Sequence, residues 1–253
     1  MDLALQVMKK HFAVILFLLL TMPACRRGSV CGGNGKTLTY EVITPAFHHI
    51  VVGEKTEAVI KEDTVDKVRV DTSPEMKDRV KIEVRNDTLY VGLHTSCLLR
   101  SDRAPLGVKV FVRQVRSIRN ASAYTVATED TLHFDRLTLL SENYRSRYAN
   151  TGNFSMLLRG DSLSVIANGW SVFRLEGKCK RLFAGFYGEA PRLEAASLQA
   201  REIDVFQRSA NDMLLYPVDR VSGDIFSTGD VILYHRPPSV NIREHYRGRV
   251  RYR

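Results

Sequence analysis

An all-β chain is what this sequence predicts, with antiparallel hairpin strands in its N-terminal part and a β-solenoid-like body behind them. Three observations carry that expectation. Apolar and polar residues alternate at a period of two between residues 68 and 112. Short apolar patches then recur around polar corners. Beyond the N-terminal segment, no stretch longer than about ten residues holds helical periodicity.

The chain opens on an address. Lys9-Lys10 precede an apolar run over residues 12–20, and Thr21-Met22-Pro23-Ala24-Cys25 follows, which is the layout of a bacterial secretory signal ending at a cysteine. The run has about nine apolar residues, far short of the roughly 20 that a membrane-crossing helix needs. Met22-Pro23-Ala24-Cys25 resembles a lipobox, in which Ala before Cys admits a lipoprotein signal peptidase and the sulfur receives diacylglycerol; Met22 stands where Leu is commonest. Cys25 is therefore the expected lipidation site and the first residue of the mature protein, and either Met1 or Met8 is the true start. The expected organisation is a signal over residues 1–24, a flexible tether and lead-in strand over 25–45, and one β domain over 46–253.

Composition bounds what the mature chain can be. About 229 residues can bury a full core as one all-β domain without disulfides. Cys31, Cys97 and Cys179 are an odd number without metal-ligand spacing, so at most one bridge forms, and Cys97 and Cys179 read as small apolar packing residues. The net charge of +9 would suit nucleic acid, but an exported protein meets other polyanions, namely lipid phosphates, acidic polysaccharide and surface glycans. Nucleic acid is not an expected partner.

The tether carries Gly28, Gly32, Gly33 and Gly35, a flexible composition. Gly32-Gly33-Asn34-Gly35-Lys36-Thr37 imitates a phosphate loop. That motif needs a glycine where Val30 sits and a helix afterwards, whereas Leu38-Thr39-Tyr40-Glu41-Val42 reads as a strand. Next come half-buried strands: Val68 and Val70; Val80, Ile82 and Val84; Leu89, Val91 and Leu93; Val108, Val110 and Val112. Asn86-Asp87 supplies turn chemistry, so residues 80–93 form a hairpin.

After about residue 125 the apolar patches return at roughly 17 to 22 residues, the mark of solenoid coils that bury their inward side chains on one another. They include Leu137-Thr138-Leu139, Leu163-Ser164-Val165, Val172-Phe173-Arg174-Leu175, Ile203-Asp204-Val205, Met213-Leu214-Leu215 and Val231-Ile232-Leu233. Gly160, Gly169, Gly177, Gly188, Gly223 and Gly229 are the expected corners.

Several segments together resemble the head GIN domain family of auto-transporter adhesins. They are Phe47-His48-His49-Ile50-Val51-Val52-Gly53, Asp87-Thr88-Leu89-Tyr90-Val91, Leu175-Glu176-Gly177-Lys178-Cys179-Lys180-Arg181-Leu182, Ser209-Ala210-Asn211-Asp212, Val221-Ser222-Gly223-Asp224-Ile225, and Ser227-Thr228-Gly229-Asp230-Val231-Ile232-Leu233-Tyr234 with Pro237-Pro238. The resemblance covers about residues 46–250 and rests on structural turns. It implies a right-handed β-helix-like body and a lipoprotein or secreted protein of Bacteroidetes-type bacteria. The chain departs from the family where a glycine-serine repeat marks each coil: Ser122-Ala123-Tyr124 and Ala184-Gly185-Phe186-Tyr187-Gly188 are bulkier.

No catalytic or metal constellation stands out, and no cofactor is expected. Asp204, Asp212, Asp219, Asp224 and Asp230 read as turn residues bonded to local backbone, not as a carboxylate site. His48 and His49 fall on opposite faces of a strand. Arg159-Gly160-Asp161 matches an integrin-recognised tripeptide, but Gly-Asp is also a common turn pair. Asp followed by Thr or Ser and an aliphatic residue resembles the O-glycosylation acceptor motif of the same lineage, making Thr64, Thr88, Thr131 and Ser162 candidate acceptors. Arg249, Arg251 and Arg253 share one face of a last strand, where they either close an exposed β-edge or form an anion-binding stripe.

The expected protein is non-enzymatic and held in the outer membrane by its N-terminal lipid, an adhesin or a structural protein with a glycan or envelope protein as partner. It faces either the periplasm or the cell surface. Arg26-Arg27 after Cys25, where surface-export signals of this lineage resemble an acidic cluster, favours the periplasmic face. A polysaccharide-acting β-helix enzyme and a periplasmic sensor or assembly partner are the alternatives.

Overall fold

Period-two alternation puts every second side chain on the same side of the backbone, and the chain uses that property almost throughout. The computed structural model describes residues 37–93, 105–144 and 148–253; the signal-like segment, Cys25, the glycine-rich tether, Cys31 and Cys97 lie outside them. The strands of the N-terminal part are β1 (Leu38–Ile43), β2 (His49–Val52), β3 (Thr56–Glu62), β4 (Lys67–Thr72), β5 (Val80–Arg85), β6 (Thr88–Leu93), β7 (Leu106–Val112), β8 (Ser117–Asn120) and β9 (Val126–Thr128). The body follows with β10 (Leu132–Ser141), β11 (Phe154–Ala167), β12 (Val172–Phe186), β13 (Arg192–Gln207), β14 (Met213–Ile225), β15 (Val231–Leu233), β16 (Ser239–Glu244) and β17 (Val250–Tyr252). One 3-10 helix, Pro74–Arg79, leads from β4 into β5.

The body is a β-solenoid. On one side β6, β2, β8 and the second halves of β10 through β14 lie parallel in succession, ending at β16. On the other side β7, β3, β9 and the first parts of β11 through β14 do the same, ending at β15 and β17. From β11 onward most facing residues of neighbouring coils are about 18 to 21 apart in sequence, as in Leu163 with Leu182, Leu182 with Ile203 and Ile203 with Val221, within the recurrence the apolar patches predict; between β10 and β11 the step is longer, as in Leu137 with Leu163. Antiparallel pairs occur only at the N-terminal end among the described residues: β5 on β6, and β1 and β7 on β4. Asn86 and Asp87 both take positive φ (49° and 61°), so the β5–β6 hairpin turns as a two-residue I′ loop must.

Inward side chains stack in columns. Leu137, Leu163, Leu182, Ile203 and Val221 form one, all buried and in register from coil to coil. Phe154, Phe173, Leu193, Met213 and Val231 form another, in which the Phe154 and Phe173 rings stack with centroids 4.8 Å apart. Each such ring pair adds about 0.5–1.5 kcal/mol beyond its buried area. The Cys179 thiol is free and buried, and burial pushes its pKa up to about 12, which makes it a packing group with no nucleophilic character.

The glycines correct the expectation. Gly169, Gly188 and Gly229 do stand in turns, but Gly160, Gly177 and Gly223 lie inside β11, β12 and β14. They are needed there because successive coils approach too closely for a side chain. A Cβ on Gly177 would overlap the Leu158 carbonyl oxygen, and one on Gly223 the Val205 carbonyl oxygen; both residues also hold φ values, 116° and 129°, that only glycine adopts at low cost. Gly160 also bears on Arg159-Gly160-Asp161, which sits in β11 and not on a projecting loop, with the Asp161 carboxylate 2.8 Å from Lys180 Nζ.

Each coil turns twice. At one edge, the corner edge, strands bend from the second side to the first, and charges stack there across coils: Asp161 with Lys180 (2.8 Å), Arg201 with Asp219 (2.8 Å) and Arg220 with Glu202 (3.1 Å). Nearer the N-terminus Glu129 bridges Lys61 (2.7 Å) and Lys109 on two lower strands. At the opposite, turn edge, three to five residues return the chain to the second side in the fully described turns, such as 168–171, 187–191 and 208–212.

Two outcomes follow from this packing. Gly177→Ala and Gly223→Ala are each expected to cost about 2–3 kcal/mol, with Tm lower by about 4–12 °C, whereas Gly188→Ala, whose Cβ would meet nothing within 4 Å, stays within about 0.5 kcal/mol; urea and thermal denaturation measure all three. Hydrogen bonds from Lys109 and then Lys61 hold the Glu129 carboxyl at about 2, below its ordinary value of 4.5. A depressed folded-state pKa gives stability that is present above pH 4.5 and lost as the pH falls toward 2. The Tm gap between wild type and Glu129→Gln is therefore expected to be full at neutral pH and to close across that window.

Candidate functional site

The turn edge holds what the corner edge lacks. The corner edge presents charges, many of them paired across coils, and exposed ion pairs of this kind contribute little beyond register. Along the turn edge runs a ladder of aromatic rings, one per coil from Tyr187 onward. Tyr144 meets Tyr187 edge-on (centroids 6.5 Å, 81°), Tyr187 stacks on Phe206 (4.9 Å), Phe206 leans on Phe226 (5.2 Å), and Phe226 stacks on His245 (4.3 Å, 6°). Asp224 fixes the last ring by accepting from His245 Nε2 at 2.6 Å and from Arg243 at 2.7 Å; these bonds, Arg243's first, keep its carboxyl below the ordinary range.

Side-chain amides build the turns beneath the ladder. In one coil Ser122 N donates to Asn120 Oδ1, Tyr124 N to Ser122 Oγ, and Asn120 Nδ2 to the Tyr124 carbonyl. Four coils later, Gln207, Ser209 and Asn211 repeat the arrangement bond for bond. Successive turns are also tied by backbone bonds: Trp170 N to Asn150 O, Ala190 N to Gly169 O, and Ala210 N to Glu189 O.

A cleft of about 320 Å³ opens where Asn143, Tyr144 and Asn150 meet the turns at 168–171 and 187–191. Its floor is the buried Asn168 amide, which donates to Asn143 Oδ1 (3.1 Å) and accepts from Asn150 Nδ2 (3.0 Å) and Asn143 N (3.3 Å). Its walls are Trp170, 61% exposed, Tyr144, 63% exposed, and Tyr187, whose carbonyl accepts from the Tyr144 hydroxyl at 3.3 Å. Glu189 stands on the rim with φ at 51°. A second groove, about 440 Å³, lies on the corner edge between Arg113, Arg116, His133, Arg136 and Arg159. Arg113 is committed to the buried Asp66 and His133 to Glu62; Arg116, Arg136 and Arg159 make no ion pair among the described residues.

The residues singled out in the sequence scatter over the fold. Cys25 lies outside the described residues. Thr64 and Thr131 are exposed, Thr88 Oγ1 donates to Asn86 O inside the hairpin turn, and Ser162 is half-buried in β11. Arg249, Arg251 and Arg253 sit on the final coil and reach partners of their own chain: Arg249 the Tyr246 carbonyl (2.6 Å), Arg251 the Asp230 carboxylate, and Arg253 the Tyr234 hydroxyl (3.1 Å). An anion there would compete with those contacts.

Two local readings change. His48 and His49 do not point apart; His48 precedes β2 and bonds Asp87 at 2.8 Å, while His49 bonds Ser117 Oγ at 2.7 Å and keeps its Nε2 3.8 Å from the same Asp87 carboxylate. The aspartates of the last coils, of which Asp204, Asp219 and Asp224 lie in strands, bond forward or backward by one coil and not to their own turns: Asp212 accepts from Asp230 N (2.9 Å), and Asp230 from Arg249 N (2.8 Å). No group of three potential metal ligands occurs among the described residues.

The aromatic ladder and the cleft were not anticipated. Tyr187 stood out as bulky, but Tyr144, Trp170, Phe206, Phe226 and His245 carry no local motif. Their signal is recurrence at the coil period, which becomes readable only once the coils are aligned.

Residues 46–237 match the model of a family described as "Putative auto-transporter adhesin, head GIN domain". No curated protein matches the chain. Among solved structures, a putative adhesin from Bacteroides fragilis is similar at 16% identity with a TM-score of 0.78, covering 87% of this chain and 99% of its own. A putative adhesin from Parabacteroides merdae (13%, TM-score 0.63, 87% and 98%) and a protein from Parabacteroides distasonis described as a putative lipid binding protein (13%, 0.59, 86% and 98%) are also similar. At such identities these likenesses concern the fold.

Proposed function

The chain belongs to the head GIN domain family, and from that premise we propose that it is a lipid-anchored envelope protein that works by binding and not by catalysis, as an adhesin or an interaction module. One observation carries the reading: aromatic side chains are displayed along the turn edge of a solenoid whose other edge is charged. Trp170, Tyr144, Phe226 and Tyr246 are all exposed, a concentration of apolar surface that folding alone does not reward. A rigid stack of coils is a suitable mount, because turns can vary while the inward columns stay fixed.

Anchoring would fall to Cys25, and the tether after it would let the β-body stand away from the bilayer. Exposed Thr64 and Thr131 offer the most accessible hydroxyls for the O-glycan that the Asp-Thr motifs suggest; Thr88 and Ser162 are less free.

Three measurements test this reading in the native host. An alkyne-bearing palmitate analogue is expected to label the wild type, with the label lost in Cys25→Ala; equal labelling of both would overturn the anchor. In protease shaving with a C-terminal tag, loss of the tag on intact cells places the body outside, and protection until lysis places it in the periplasm and excludes direct host adhesion. Intact-mass analysis is expected to find added glycan that disappears when Thr64, Thr88, Thr131 and Ser162 are replaced by Ala; an unmodified mass rejects the acceptor reading.

A further inference from the structure

We propose that the cleft between Tyr144, Trp170 and Tyr187 binds a neutral pyranose sugar, with Trp170 as its stacking platform and Glu189 and the Asn143/Asn150 amides as its hydrogen-bonding rim. This names a ligand class for the binding role proposed above and rests on that reading.

Trp170 is the strongest pointer. It is the chain's one tryptophan, a residue type usually well buried, yet it is 61% exposed at a turn. The backbone bonds between turns place it at the same rung as Ala190 and Ala210 of the next coils. The fold therefore accepts a methyl group at this rung, and the indole supplies no packing that the solenoid needs. An exposed indole beside the exposed Tyr144 offers flat apolar surface, with polar tips at Nε1 and the tyrosine hydroxyls.

Glu189 is an independent pointer. It holds φ at 51°, a left-handed conformation that costs a non-glycine residue and is more common for Gly or Asn. The equivalent positions in the neighbouring turns, judged by the carbonyls that accept from the next coil, are Gly169 and Ser209. Its carboxylate makes no ion pair among the described residues and stands on the cleft rim beside Gly188, where a Cβ would meet open space. Strain held at the edge of a cleft is the pattern expected of a residue kept for contact.

The polar inventory fits hydroxyls better than a charged ligand. Asn168 locks Asn143 and Asn150 in place through three hydrogen bonds and leaves the Asn143 NH2 and the Asn150 amide oxygen without a partner among the described residues. One donor, one acceptor and one carboxylate around aromatic faces match a sugar ring, which has an apolar C–H face and a rim of hydroxyls that both donate and accept. Among the described residues of the cleft lining the one charged group, Glu189, is acidic, which favours a neutral ligand beside it over uronic acids, sulfated sugars and phosphates. The volume suits one or two sugar rings, at the small end of ligand clefts. Anionic glycans would instead suit the corner-edge groove with Arg116, Arg136 and Arg159.

Because Trp170 is the chain's one tryptophan, its fluorescence reports this cleft directly. The mature protein is titrated with soluble yeast mannan, galactomannan, xyloglucan and arabinogalactan, and separately with heparin as an anionic control, following indole emission and mobility in affinity gels. At least one neutral polymer is expected to shift the emission and retard the protein. Trp170→Ala should weaken retardation by about tenfold or more, as for a central aromatic contact. Glu189→Gly should raise Tm by releasing the left-handed strain and yet weaken binding, a combination that a purely structural role does not produce. Neutral-polymer binding that Trp170→Ala leaves intact, or retardation by heparin alone, overturns the site while leaving a binding role elsewhere on the body. No retardation and no emission change with any polymer overturns the sugar assignment; the lipid-anchor and shaving results stand or fall separately.

Discussion

The parallel backbone ladder between coils is the constraint on which the rest depends. It sets neighbouring coils at strand spacing, so each paired side chain sits directly over its counterpart one coil away. Inward positions must then agree from coil to coil, which is why Leu137, Leu163, Leu182, Ile203 and Val221 form one column and why Phe154 stacks on Phe173. The same closeness forbids a side chain at Gly177 and Gly223, where a carbonyl of the preceding coil occupies the space.

A ladder of this kind separates stability from recognition. Burial in the inward columns and coil-to-coil backbone bonds hold the body, with charge pairs such as Asp161 with Lys180 helping to fix register at the corner edge. The turns need only close the chain and satisfy their own polar groups, which the Asn120-Ser122 and Gln207-Ser209 arrangements do with side-chain amides and hydroxyls. Outward residues of the turn edge are thereby free to differ. In this chain they carry Tyr144, Trp170, Tyr187, Phe206, Phe226 and His245, a surface whose composition answers to something outside the fold.

The final coil shows what stacking leaves undone. Val240 and Tyr252 occupy positions that are buried in earlier coils but are exposed here, since no further coil covers them among the described residues. The arginines of this coil reach back to Asp230 and Tyr234, placing charge and bulk beside an edge that could otherwise pair with another chain.

Much of the fold could be read in the residues. Alternation at Val80, Ile82 and Val84 and turn chemistry at Asn86-Asp87 specify a hairpin because both act over a few neighbouring residues; recurrence of Leu-Thr-Leu-like patches specifies coils because every coil repeats the same inward need. The sites were much less legible. His48 and His49 converge on Asp87, and Asp212 and Asp230 bond across coils, because partners one coil away are neighbours in space without being neighbours in sequence. The sequence by itself determined an all-β solenoid with a hairpin-rich start, since strand period and coil period are local or repeating properties. Only the tertiary structure decided that Trp170 stands at a rung held by alanine in the next two turns, that Glu189 is strained beside it, and that both face one cleft. The register between coils, set by the inward columns and not by any residue of the cleft, brings them together.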